Sequence, residues 1–318
     1  MGGGPVGGGS GSAGGRAGGG NRRGDSKEFS DRYGPWALVV GGSAGIGAAV
    51  ADEAARRGLN VLTVARRALL LEEGAARRQS TYGVDVRTLA VDLAVPGAAD
   101  AVVAAAAGLE IGMFVYNAAA EPRGYFLEVP VAEHLDNITV NCTVPTVLCH
   151  HFGRSMAYRG SGAIALVSSM GALQGGKVFA SYFAGKAYEW ILAEGLWAEL
   201  GEAGVDALAY VVGATRTENY KGQIDGSSDV AAGAPERGGG GGTGADELGD
   251  GELDVARRRL RHPSDPEEVG RHLFDVLGRG PTEFSHPDDE RHAATVLRLS
   301  RRVAVDRMSA HTTGIRRA

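Results

Sequence analysis

Tyr182 and Lys186 stand four residues apart in Tyr182-Phe183-Ala184-Gly185-Lys186, within a stretch whose pattern predicts a helix. Four residues bring two side chains to one helical face a turn apart, so an ammonium can lie beside a phenol. A phenol with its ordinary pKa of about 10 neither gives nor takes a proton readily at neutral pH. An adjacent cation favours the phenolate and makes Tyr182 a candidate general acid and base. The spacing alone is not rare. Yet the chain uses only four lysines among 33 Lys and Arg and places one here. Tyr182 follows Ser169 by 13 residues, and Ser169 closes the run Leu166-Val167-Ser168-Ser169, where a hydroxyl can bond a substrate oxygen. Asn141, in Val140-Asn141-Cys142, puts an amide inside an apolar helical stretch, which by itself reads as a buried structural hydrogen-bonder.

A second constellation lies earlier. Gly41-Gly42-Ser43-Ala44-Gly45-Ile46-Gly47 joins an apolar run to an alanine-rich helical one. Glycines at 41, 45 and 47 let the backbone turn tightly and approach a pyrophosphate, whose charge meets the N-terminus of the following helix.

These residues need a scaffold, and the pattern supplies one. Apolar runs at 36–40, 60–65, 86–91, 112–117, 162–167 and 206–212 predict strands. Helical stretches at 46–57, 68–79, 96–107, 137–158 and 181–200 separate them. Six alternations with near-continuous apolar strands predict a doubly wound α/β domain: a parallel Rossmann-type sheet in three layers, α/β/α. Ligands then bind beyond the carboxyl ends of the strands, where Gly41 and Ser169 fall. Helices are also expected at 266–277, with Ser264 or Asp265 as cap, and at 287–308.

The glycine loop with spacing GxxxGxG, the strand-end serine and the YxxxK helix together resemble, in order and spacing, the short-chain dehydrogenase/reductase family. The resemblance covers residues 36–217, with a weaker echo in Pro266-Glu267-Glu268-Val269. It implies a single NAD(P)-binding domain and an oxidoreductase that interconverts a carbonyl and a secondary alcohol. Asn141, Ser169, Tyr182 and Lys186 then form the catalytic set, with Asn141 anchoring a water in a proton relay and Lys186 also holding the nicotinamide ribose. Ala65 stands where NAD-preferring members carry an acid, and Arg66 follows it, which favours NADP(H) through charge-assisted bonds to a 2′-phosphate. A merely solvated Arg66 is the alternative. Asp92-Leu93 matches the adenine-contacting element, although Asp92 also suits a turn. Tyr116-Asn117-Ala118-Ala119 is similar to the family's NNAG, with Tyr116 for its first asparagine and Ala119 for its glycine, and Asn117 keeps the place that lines the cofactor pocket. Gly213 to Thr217 resembles the PGxxxT segment beside the nicotinamide, with Val212 for proline. A catalytically silent nucleotide-binding regulator on the same fold is the rival reading. The resemblance also implies a homodimer built on the helices bearing Asn141 and Tyr182.

Composition narrows the partners. A formal net charge of −5 over 318 residues gives no general attraction to nucleic acid or anionic membranes. No apolar run suits a membrane span or signal peptide, so a soluble cytoplasmic protein acting on a small carbonyl or alcohol is expected. Cys142 and Cys149 fall on one helix roughly 10 Å apart, too far for a disulfide, and no histidine arrangement suggests a metal. Of 51 glycines, 13 lie in residues 1–24 and nine in residues 233–251. The first tract marks a disordered tail over residues 1–32. The second sits in a loop at 215–261, which would form the substrate lid and hide specificity from the sequence.

Overall fold

Every residue of Trp36–Val40 (β1) is buried, as a strand with helices on both its faces requires. The computed structural model describes residues 1, 22–217 and 263–313, so most of the expected loop at 215–261 lies outside the described residues. Around β1 pack Asn60–Ala65 (β2), Val86–Ala90 (β3), Ile111–Tyr116 (β4), Gly162–Ser169 (β5), Val205–Val212 (β6) and Thr282–Phe284 (β7). The sheet order is β3-β2-β1-β4-β5-β6-β7, parallel throughout, with the reversal of strand order between β1 and β4. That reversal opens a crevice at the carboxyl ends of the two strands, beside Gly41 and Asn117.

The pleat sorts side chains into two cores. Leu38 and Val40 point to one face, with Phe114, Leu148, Phe152 and Ile164; Ala37 and Val39 point to the other, with Val50, Met113, Tyr210 and Phe274. The helices are Arg22–Tyr33 (α1), Gly45–Arg56 (α2), Ala68–Tyr82 (α3), Ala98–Ala105 (α4), Val131–Ile138 (α5), Val144–Arg159 (α6), Ala180–Leu200 (α7), Pro266–Val276 (α8), Pro287–Val296 (α9) and Arg301–Thr312 (α10). Asp265 caps α8 by accepting from the Glu267 amide at 2.9 Å, ahead of a proline in its first turn.

Four features correct the sequence expectation. The end of the expected disordered tail is helical: on α1 the Phe29 ring packs 5.4 Å from Phe274, and Arg32 pairs with Asp206 at 2.6 Å. Residues 2–21 of that tail lie outside the described residues. A seventh strand, β7, extends the sheet; three half-buried residues carry too little periodicity to be read in advance. The expected helix at 137–158 is two helices joined by a π-turn at Thr139–Thr143. The expected helix at 287–308 is also two, because the Ser300 side chain caps a new start at α10.

That last helix packs on the domain. Arg301 donates to the Leu173 carbonyl at 2.8 Å, the Lys177 amide donates to Ser309 Oγ at 3.2 Å, and Thr312 Oγ1 donates to the Lys177 carbonyl at 2.7 Å. Met308 packs against Val178, Phe179 and Phe183. Helix α10 thus holds the segment 173–179 that leads into Tyr182.

Candidate active site

The glycine turn is built so that only glycine fits. A Cβ on Gly41, where φ is +88°, would lie 2.5 Å from the Ala118 amide nitrogen; one on Gly47 would lie 2.0 Å from the Gly41 carbonyl oxygen. Asn117 Nδ2 donates to that same carbonyl at 3.2 Å, tying the end of β4 to the loop after β1. A Cβ on Gly45 would fall 2.9 Å from Thr217 Cγ2, so Thr217 closes the cradle from the far side. Ile46 packs on the core, while Ser43 Oγ accepts from Arg67 at 3.4 Å. Arg66 and Arg67 are both exposed at the end of β2. Arg67 thus joins the set of cationic groups here, which the sequence reading confined to Arg66.

Leu93 is buried in the core beside β3, and the exposed Asp92 accepts from the Ala94 amide at 3.0 Å, which fixes the turn that follows the strand. The Gly213 amide donates to Ser285 Oγ at 3.2 Å, and that hydroxyl donates to the buried Asp289 at 3.2 Å. A side chain on Gly213 would collide with the Asp289 carboxylate at 2.4 Å. Glycine therefore lets α9 press against the segment after β6.

Ser169, Tyr182 and Lys186 converge where β5 ends and α7 begins. Tyr182 shares a side-chain hydrogen bond with Ser169, whose Oγ also accepts from the Gly171 amide at 3.1 Å. Lys186 is buried; its Nζ donates to the Val167 carbonyl at 2.8 Å and to Glu189 Oε2 at 2.8 Å. Ser168 Oγ donates to the Lys186 carbonyl at 2.7 Å, locking α7 to β5.

The electrostatics differ from expectation. The Tyr182 phenol is held well above its ordinary value, first by loss of hydration and then by the Glu121 carboxylate; Ser169 and Arg123 act the other way. The lysine, expected to depress that value, is engaged by a carboxylate that the sequence reading passed over. Glu189 is fully buried and its carboxyl is pushed up to about 7 by burial, against the pull of Lys186. A glutamate within a helical run gave no sign of this from sequence alone.

Asn141 occupies the middle of the π-turn and is fully buried. Its Nδ2 donates to the Ala120 carbonyl at 2.9 Å, and its Oδ1 accepts from the Ala120 amide at 2.8 Å. Asn137 Nδ2 donates to the same carbonyl at 2.7 Å. The two amides fix the segment after β4 that carries Glu121 and Arg123, paired at 3.2 Å. A π-turn leaves carbonyls out of the helical ladder, and here the buried Tyr116 hydroxyl donates to the Val140 carbonyl. Tyr116, one of two departures from the NNAG pattern, thus supports the turn that presents Asn141. Gly185 lets the helices meet there, since a Cβ on it would lie 2.9 Å from Asn141 Cβ.

Cys142 and Cys149 are free thiols, and burial pushes the Cys149 thiol up to about 12. Among the described residues no helix is long and apolar enough to cross a membrane, and no three metal-ligating side chains cluster.

The chain is similar to known proteins in sequence and in fold. The profile of the family described as short chain dehydrogenase matches residues 35–226. A 7beta-hydroxysteroid dehydrogenase of Collinsella aerofaciens is 33% identical over 196 residues, covering 62% of this chain and 74% of that protein. A solved structure of a 7beta-hydroxysteroid dehydrogenase superposes with a TM-score of 0.74 at 26% identity, covering 88% of this chain and 98% of its own. A short-chain dehydrogenase from Sphingobium yanoikuyae in complex with NADPH superposes with a TM-score of 0.64 at 26% identity, over 82% of this chain and 92% of that one.

Proposed function

Because the chain belongs to the short-chain dehydrogenase family and is an oxidoreductase acting on CH–OH groups, we propose that it interconverts a carbonyl and a secondary alcohol with NADP(H), Tyr182 serving as general acid and base. The observation that carries this reading is the convergence of the Ser169–Tyr182 hydroxyl pair and Lys186 at the end of β5, across the crevice from the glycine turn after β1. Nothing in the site favours a silent regulator, since all four members of the expected catalytic set are present.

The cradle suits a dinucleotide because no side chain can occupy it at Gly41 or Gly47. Gly41, Ser43, Gly45, Ile46 and Gly47 would hold the pyrophosphate, Arg66 and Arg67 a 2′-phosphate, and Asp92 and Leu93 the adenine. Asn117, Gly213, Thr217 and Lys186 would line the nicotinamide half. Bound nicotinamide supplies the hydride donor or acceptor. Ser169 orients the substrate oxygen by hydrogen bonding, and Tyr182 gives that oxygen its proton in reduction or takes it in oxidation. The raised value of the phenol keeps Tyr182 protonated at neutral pH, the form that reduction requires. Similarity to 7beta-hydroxysteroid dehydrogenases makes a ketosteroid the first substrate to test.

The cofactor assignment is tested by replacing Arg66 and Arg67 with alanine. Loss of charge-assisted bonds, each worth about 1.5–3 kcal/mol, should raise the KM for NADPH about tenfold or more and leave that for NADH nearly unchanged. Equal effects on both cofactors would remove the 2′-phosphate assignment.

The homodimer belongs to the same proposal. Leu135 and Ile138 on α5, Val147 on α6, and Tyr188 and Ile191 on α7 leave a run of apolar side chains exposed on the helices that flank the site. Sedimentation should give twice the chain mass of 32.8 kDa. Ile191→Glu should shift the population toward monomer; a monomeric wild-type protein would contradict the assignment.

A further inference from the structure

Glu189 is a buried carboxylate for which the reaction as described has no use. It is fully excluded from solvent, Oε2 bonds Lys186 Nζ at 2.8 Å, and Oε1 has no hydrogen-bond partner among the described residues. Burying a carboxylate with one oxygen unmatched is costly, and an apolar side chain of similar volume would fill the space more favourably. Its charge therefore calls for a role. Helix geometry supplies one, because position i+3 sets the carboxylate beside the lysine that must act on Tyr182. The other Nζ bond, to Val167, fixes the ammonium two residues before Ser169 on the same strand.

We propose that Glu189 is a positioning residue of the active site, which anchors the Lys186 ammonium at the end of β5 and offsets the positive charge that Lys186 presents to the Tyr182 hydroxyl. The inference rests on the roles given above to Tyr182 and Lys186. The groups coupled to Glu189 are Tyr116 from β4, Cys142 from the π-turn, Cys149 from α6 and Lys186 from its own helix. Those facing Tyr182 are Glu121 and Arg123 from the segment after β4, Ser169 from β5, and Glu189. The Glu189 carboxylate acts on the phenol in the same sense as Glu121, holding its proton on. Removing that negative charge while keeping an acceptor for Nζ should let the phenol ionise at lower pH.

Glu189→Gln makes this change with little alteration of shape. In alcohol oxidation, where the phenolate is the base, kcat/KM rises with pH as Tyr182 ionises; the variant should show that rise about one pH unit lower than wild type. Glu189→Asp keeps the charge but withdraws it by one methylene, and its limb should move the same way by a smaller amount. A structural carboxylate would change expression or melting temperature but not the position of the limb. Superimposable profiles for wild type and Glu189→Gln would overturn the proposal, as would an unmoved profile for Glu189→Asp if the glutamine variant fails to fold. Tyr182→Phe, assayed alongside, separates the two claims. If it turns over normally, the assignment of Tyr182 fails; if it is inactive and the Glu189 limb does not move, only the role of Glu189 fails.

Discussion

Tyr182→Phe should abolish turnover while leaving cofactor binding intact. The substitution removes one oxygen from a half-buried ring packed against Phe179 and Phe183, so the aromatic contacts survive. What it removes is the proton donor and the hydrogen bond shared with Ser169. A positioned general acid contributes about 10²–10⁴-fold to rate. A phenyl ring cannot replace that proton or that bond, so kcat should fall by about that factor. The glycine turn and the β2 arginines lie on other strands, so NADPH titration by fluorescence quenching should give a Kd within about twofold of wild type, or ~0.4 kcal/mol. Weakened binding in parallel with lost turnover would point to a misfolded site instead of a missing acid.

Gly47→Val should do the reverse, removing the cofactor while sparing the catalytic side chains. A Cβ at this position would sit 2.0 Å from the Gly41 carbonyl and 2.7 Å from Asn117 Nδ2. Both neighbours are fixed, one as backbone and the other by its bond to that same carbonyl. The turn must therefore open, carrying the α2 N-terminus away from the position in which it would meet a pyrophosphate. Overpacking of this kind costs about 1–3 kcal/mol of stability, and the Kd for NADPH should rise more than tenfold, ~1.4 kcal/mol. Gly195→Ala is the matched control, since a Cβ there meets nothing within 4 Å. Thermal melting and NADPH titration of the two variants together check the result; unchanged affinity in Gly47→Val would remove the cradle from the cofactor site.

The parts of this site that were legible in the sequence are those imposed by backbone geometry or by a fixed helical interval. Gly41, Gly45 and Gly47 stand out because the turn after β1 excludes side chains, and Tyr182 and Lys186 because a helix repeats its face every four residues. The sheet was legible for a related reason: strands buried on both faces are nearly continuous in apolar residues, as β1 and β4 are. Short or locally satisfied features gave no such signal. The three residues of β7 are half-buried, and the π-turn at Asn141 depends on a hydroxyl from Tyr116, distant in sequence. Glu189 reads as an ordinary helical glutamate until the fold buries it beside Lys186. The grip of α10 on residues 173–179 arises from Ser309 and Thr312, which resemble any polar residues on a helix surface. Arg67 was overshadowed by Arg66 because only the former's contact with Ser43 distinguishes them.

The surroundings of Tyr182 are poorly legible for a different reason. They are built by side chains that converge from separate segments: Glu121 and Arg123 after β4, Val178 and Phe179 before α7, and Met308 of α10. Val178 adopts a φ of +72°, a conformation that costs a β-branched residue of order 1–3 kcal/mol, and its carbonyl accepts from the Gly124 amide at 3.0 Å. The segments after β4 and before α7 are thus pinned together beside Tyr182.

The most direct test of the central claim follows the nicotinamide absorbance after mixing the purified protein with NADPH and a ketosteroid, wild type beside Tyr182→Phe. The account predicts saturable loss of absorbance with formation of the secondary alcohol for wild type, and none for the variant despite bound NADPH. Equal rates for the two proteins, or no oxidation of bound NADPH by wild type with any ketone in a broad panel, would contradict it.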